Sequence, residues 1–185
     1  MAAEIKYTER NTESLLDIAS DVIRMLNRAG ETVGVAESLT GGGVMVALTK
    51  VPGASAVFRG GVVPYMTPLK QVLLNVDAGL IAREGVIHAN VASQMAEGVR
   101  KVTTFDDSPT TWGIGTTGVA GPTPQDGKPV GMVFIGLASP DGSRAWGPFR
   151  FFGSREQICD ATVKEALWQL RKVLAARRDS KGEEN

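Results

Sequence analysis

Residues Thr32 to Lys50 read TVGVAESLTGGGVMVALTK. A run rich in β-branched residues, Thr32 to Ala36, empties directly into Glu37-Ser38-Leu39-Thr40-Gly41-Gly42-Gly43. An apolar stretch from Val44 to Lys50 follows, and Pro52-Gly53 stops it. β-Branched side chains favour an extended backbone, clustered glycines permit a tight turn, and proline with glycine ends a helix. The stretch therefore predicts strand, turn and helix, the repeating unit of a layered α/β domain.

Working outward, Leu15, Ile18, Ala19, Val22, Met25 and Leu26 recur at helical spacing with Gly30 behind them, which predicts a helix over Asn11 to Ala29 capped by that glycine. Val57 to Val63 reads as a second strand. Thr67-Pro68 then starts a short helix, with a capping hydroxyl, proline at the first helical position and Lys70 in the first turn. Val91, Met95, Val99 and Val102 mark another helix face beginning near His88 or Asn90. Thr111 to Thr116 is a strand that runs into a second glycine-rich loop, Thr117 to Pro122. Val130 to Ser139 and Ser143 to Phe152 flank Pro140-Asp141-Gly142, a hairpin signal, so the sheet is mixed. Ser154 and Gln157 have the spacing of a capping box, ahead of a helix face that continues to about Arg178. The whole reads as one domain over 1–185, with a polar arm over about 1–10 and a frayed tail over about 179–185.

Twenty Lys and Arg balance twenty Asp and Glu, so no electrostatic footprint for nucleic acid or an anionic membrane exists, and neither is expected as a partner. A single cysteine, Cys159, excludes an intramolecular disulfide and a cysteine zinc site, and a single histidine, His88, leaves a multi-histidine metal site short of ligands. No metal and no cofactor are expected. The start, MAAEIKYTER, lacks the basic flank and apolar run of a secretory signal, which predicts a cytoplasmic location. Glycine is the outlier, at 22 of 185 residues, and its clusters direct the search for chemistry.

Ser38 places a hydroxyl at a strand end before small residues whose backbone N–H groups suit an anion or a developing oxyanion. An ordinary helix cap explains Ser38 or Thr40 equally well. A serine nucleophile needs a base, and the chain offers His88, as part of a triad, or Lys70, which follows Tyr65 in VVPYMTPLK at the C-terminal end of a predicted strand. A lysine serves only if its surroundings lower its pKa, and a solvated surface lysine is the competing reading. The segment GIGTTGVAGPTPQDGKPVG could hold a phosphate or ribose on backbone N–H groups, or be a long surface loop; it lacks P-loop spacing. Cys159, beside Ile158 in a predicted helix, reads as core rather than nucleophile.

Taken together, the loops resemble the C-terminal domain of the CinA (competence/damage-inducible protein) family. The matching pieces are Ala36-Glu37-Ser38 with Thr40-Gly41-Gly42, Tyr65 with Lys70, Gly85 with Met95-Ala96, Thr117 to Pro122, Lys128 to Gly131, and Gly153 with Arg155. The resemblance implies a three-layer α/β/α domain with a mixed, mostly parallel five-stranded sheet. Stand-alone and fused forms of the family include nicotinamide mononucleotide amidohydrolases. A small-molecule nucleotide is therefore the implied ligand, and its conversion to the acid nucleotide and ammonia without a metal is the implied reaction. Ser38 would be the nucleophile, Lys70 its base, and Tyr65 would orient one of them. Glu37, Leu39, Thr40, Gly41, Gly42, Thr116, Thr117, Gly118, Ala120, Gly121 and Arg155 would line or contact the substrate. A homo-oligomer is also implied, and longer relatives carry an additional N-terminal domain. The chain departs from the family pattern at Leu39, where cysteine is usual, at Met66-Thr67, over Gly85 to Val91, at Thr123-Pro124, and at Ser154. These departures keep open a catalytically silent nucleotide-binding or protein-interaction domain, and the single histidine keeps open a hydrolase of another ester or amide built on Ser38 and His88.

Overall fold

The computed structural model describes residues 5–6 and 13–182. Helix α1, Leu15–Ala29, begins where Ser14 accepts a bond from the Asp17 N–H and ends where Gly30 turns left-handed. The glycine cap is the one expected; the helix starts at Leu15 rather than Asn11 because Ser14 supplies the capping oxygen. Strand β2 (Val33–Glu37) then delivers the chain to α2 (Gly43–Thr49), and a 3-10 turn at Ala54–Ala56 leads into β3 (Phe58–Val62). Three helices follow, α3 (Thr67–Leu74), α4 (Ala78–Glu84) and α5 (Ala89–Val102). Strands β4 (Trp112–Gly118), β5 (Met132–Ser139) and β6 (Gly142–Arg150) precede the long α6 (Arg155–Gly182).

The sheet is mixed, with five long strands as expected. Strand β2 lies parallel to β3 on one side and to β4 on the other, whereas β5 runs antiparallel to both β4 and β6. A two-residue β1, Ile5–Lys6, extends the β6 edge in parallel register, giving the order β1-β6-β5-β4-β2-β3. Helices α1, α2 and α6 cover one face, where Ile18, Leu26, Leu48, Leu167 and Leu170 pack on Val35, Ile114 and Ile135. Helices α3, α4 and α5 bury Leu74, Leu80, Val91, Met95 and Val99 on the other. These are the three layers the resemblance implies.

Several boundaries differ from expectation for local reasons. The first residue of α3 is Thr67, so Pro68 stands second and Met66, without a hydroxyl, occupies the cap. Helix α4 was not expected; Asp77 starts it by accepting from the Gly79 and Leu80 N–H groups. Strand β4 takes in Thr116, Thr117 and Gly118 instead of releasing the last two to a loop, because Thr117 pairs with Phe134 and Gly118 with Val133. Helix α6 continues past Arg178 to Gly182, so much of the tail expected to fray is helical. The remainder of that tail, 183–185, lies outside the described residues, as do 1–4 and 7–12 of the polar arm. Among the described residues no helix is long and apolar enough to cross a membrane.

Helix α5 rests on the sheet backbone to backbone, and glycine makes this possible. A Cβ at Gly113 would stand 1.9 Å from the Ala96 carbonyl oxygen, and one at Gly136 would stand 2.1 Å from that of Ala92. Neither atom can yield, since both belong to the helix ladder. Gly136→Ala is therefore expected to lower the unfolding free energy by about 3 kcal/mol or more, read by urea denaturation, through forced separation of α5 from β4 and β5.

Candidate active site

Because β2 sits between two parallel neighbours, the C-terminal ends of β2, β3 and β4 emerge along one edge of the sheet, where open α/β sheets place their ligands. Each end delivers one of the loops singled out in the sequence. Ser38 and Leu39 leave β2, Tyr65, Thr67 and Lys70 follow β3, and Thr117, Gly118, Ala120 and Gly121 close β4; all line one cleft of about 310 Å³. Arg155, from the first turn of α6, completes the wall.

Lys70 is only 1% exposed. Its ammonium donates to the Pro64 carbonyl at 2.8 Å and to that of Tyr65 at 3.5 Å. No carboxylate among the described residues forms an ion pair with it. Removal from water penalises the charged form, and Lys70 is pushed down to about 8. Roughly a tenth of the side chain is then neutral at pH 7, where an ordinary lysine has essentially none. This is not a solvated surface lysine.

The structure does not bring every expected position to the cleft. Glu37 is fully buried behind the loop, where its carboxylate accepts from the N–H groups of Gly42 (3.0 Å), Val44 (3.1 Å) and Met45 (2.9 Å). It is not in the cleft wall, and the expectation that it touches substrate is corrected: Glu37 caps α2 from within. Thr40 and Thr116 join hydroxyl to hydroxyl at 2.9 Å, both buried, and fasten the β2 loop to β4. They, with Gly41 and Gly42, shape the turn instead of lining the cleft. Thr117 does line it, but its hydroxyl donates to the Val86 carbonyl at 2.7 Å.

At the mouth, Arg155 donates to the Tyr65 hydroxyl and, at 2.7 Å, to the Gly121 carbonyl, so α6, the β3–α3 loop and the β4–β5 loop meet on one guanidinium. Tyr65 is thereby positioned by Arg155. His88 caps α5, its Nδ1 accepting from the Asn90 N–H at 3.2 Å, and does not line the cleft. The cleft wall also includes Thr123, Pro124 and Gln125, from the glycine-rich segment singled out after β4, and Val86, which motif reading did not place there. Val86 carries no chemical signal, and only the fold brings it in. Among the described residues no group of three or more His, Cys, Asp or Glu side chains converges on a metal-sized site.

The CinA C-terminal domain profile matches residues 15–174, and the chain belongs to that family. A CinA-like protein of Frankia casuarinae is 47% identical over 154 residues, covering 83% of this chain and 34% of that protein. Another from Parasynechococcus marenigrum is 44% identical over 164 residues, covering 86% and 37%. The chain thus spans about a third of the length of these relatives. Among solved structures, the competence/damage-inducible protein CihA of Agrobacterium tumefaciens superposes with a TM-score of 0.79 at 29% identity, covering 91% of this chain and 99% of that one. A CinA superfamily protein of Klebsiella pneumoniae gives 0.82 at 25%, covering 89% and 99%.

Two predictions follow from this geometry. In the folded protein Lys70 releases its proton near pH 8, whereas an unfolded lysine keeps it to about 10.4, so the unfolded state binds more protons between these values. The Lys70 contribution to unfolding free energy therefore rises with pH across that window, by about 3 kcal/mol in all, and urea titrations of Lys70→Met lack that rise. Glu37→Gln turns an NH₂ donor toward backbone N–H donors and is expected to cost about 2 to 3 kcal/mol, with ligand affinity in the folded protein little changed. Lost affinity at unchanged stability would put Glu37 back in contact with substrate.

Proposed function

We propose that this domain is a serine–lysine amidohydrolase that converts the carboxamide of nicotinamide mononucleotide, or a close pyridine nucleotide, into the carboxylate and ammonia. The observation that carries the reading is Lys70, a buried lysine lowered to about 8 in the wall of the same cleft as Ser38. A base poised near the working pH is what an unactivated serine hydroxyl requires. The membership of the CinA family and the resemblance of the loops supply the substrate class.

In this reading the Ser38 Oγ attacks the amide carbon while its proton passes to Lys70 Nζ. The resulting tetrahedral intermediate collapses with proton return from Lys70 to the departing nitrogen, releasing ammonia and leaving an acyl-serine. Water, deprotonated by Lys70, then cleaves the ester and restores both side chains. Backbone N–H groups following Ser38 receive the oxyanion, worth about 3 kcal/mol each when well aimed. Arg155 stands at the mouth, where a guanidinium suits the phosphate end of a nucleotide.

The test is ammonia and acid-nucleotide release by the wild-type chain. Ser38→Ala and Lys70→Ala are expected to lose at least 10³-fold in kcat while remaining folded. The kcat/KM of the wild type falls below about pH 8, because protonated Lys70 cannot accept the serine proton. Thr123 and Pro124 in the cleft wall, where the family pattern has glycines, support the alternative of a binding domain without turnover. Thermal stabilisation by the nucleotide with no ammonia released would establish that alternative.

A further inference from the structure

Lys70 is a buried cation without a counter-ion. Of its three N–H donors, two point to the Pro64 and Tyr65 carbonyls, and the third finds no acceptor among the described residues. The side chain nevertheless forms part of the cleft wall. The other ionisable groups of that wall are the Tyr65 phenol, from the β3–α3 loop, and the Arg155 guanidinium, from α6. No carboxylate lines it. Glu37 of β2 is committed to the N–H groups of its turn and α2, and Asp126 of the β4–β5 loop accepts from the Val86 N–H at 3.3 Å. Helices α4 and α5 bring no ionisable side chain to the wall, and His88 is spent on its cap.

An ammonium held in this way attracts an anion more than a neutral ligand of the same shape, because opposite charges in a water-poor wall are weakly screened. Hydrolysis of an amide makes such an anion in place. Deacylation leaves a carboxylic acid beside neutral Lys70, and of the two groups the carboxylic acid is by far the stronger acid. Its O–H bond breaks, an N–H bond forms on Lys70 Nζ, and carboxylate and ammonium remain side by side. The amide substrate carries no charge at that position.

We propose that Lys70 makes the cleft a carboxylate-binding site, in which the acid nucleotide formed by the reaction competes with the amide through an ammonium–carboxylate pair. The proposal takes its ligand from the amidohydrolase reading and adds feedback on turnover: the group that accepts the serine proton also retains the product. The phosphate is common to both nucleotides, so Arg155 does not discriminate between them. Carboxylate binding requires protonated Lys70. With the free lysine at about 8, the protonated fraction falls from about nine-tenths at pH 7 to about one-tenth at pH 9, and the pair weakens about tenfold over that range.

The experiment measures binding of the acid nucleotide and of nicotinamide mononucleotide to Ser38→Ala, which cannot turn over, by calorimetry at pH 7 and pH 9 in buffers of different ionisation enthalpy. The acid nucleotide is expected to bind about tenfold tighter than the amide at pH 7, and to weaken about tenfold by pH 9, where its binding takes up about one proton. The affinity for the amide is expected to change less than threefold. Adding Lys70→Met to Ser38→Ala is expected to abolish the proton uptake and to bring the acid down to the affinity of the amide; should that double variant not fold, the proton uptake of Ser38→Ala decides. Equal pH dependence for the two nucleotides, acid binding without proton uptake, or no acid binding would overturn the inference and leave the amidohydrolase reading standing. Failure of the wild type to release ammonia would instead withdraw that reading, and the feedback with it.

Discussion

Glu37 has no access to water, and a carboxylate so placed costs several kcal/mol unless donors surround it. The three N–H groups that do so come from the turn and the first residues of α2, all within eight residues of Glu37. Strand β2, the glycine turn and α2 are thereby joined into one rigid piece, and Ser38 sits at its corner. The carboxylate also occupies the start of α2, where the unpaired N–H groups would otherwise attract an external anion. What the turn can still offer a ligand is confined to its exposed side, next to Ser38.

The other half of the cleft depends on a second departure from the usual placement of charge. Lys70 follows a strand end and begins a helix packed on α5, so its long side chain is covered instead of solvated. Two carbonyls accept from its ammonium without cancelling its charge, which leaves burial to lower its proton affinity. A stability penalty below pH 8 and a usable base near neutral pH have the same origin. Sites that perform chemistry commonly carry such locally unfavourable charges, supported by the rest of the fold.

Which features were legible follows from the range of the interaction that makes them. The Ser154–Gln157 capping box, the Gly30 cap and the Pro140 to Gly142 hairpin are closed by neighbours in sequence, and they are observed as read. Helix α4 was missed because it is only seven residues long, although Asp77 gave the capping signal. Glu37 was misplaced for a different reason: an acidic residue beside a candidate nucleophile reads as chemistry, and only its burial shows that it serves the backbone. The link between Tyr65 and Arg155 spans 90 residues, and that between Cys159 and Leu39 spans 120, so no local pattern announces either.

Backbone preference and short-range hydrogen bonds set the strand–turn–helix at Thr32 to Lys50, the hairpin, the Gly30 cap, the Ser154–Gln157 capping box and the three loops that carry polar side chains, so these were legible in the order of residues alone. Tertiary structure alone decided that β2 lies between two parallel partners, which brings the loops to one edge. It also decided that Lys70 is dry, that Glu37 faces inward and that Cys159 reaches the turn. Burial depends on what distant segments place around a residue, and a side chain's charge, proton affinity and partners change with it.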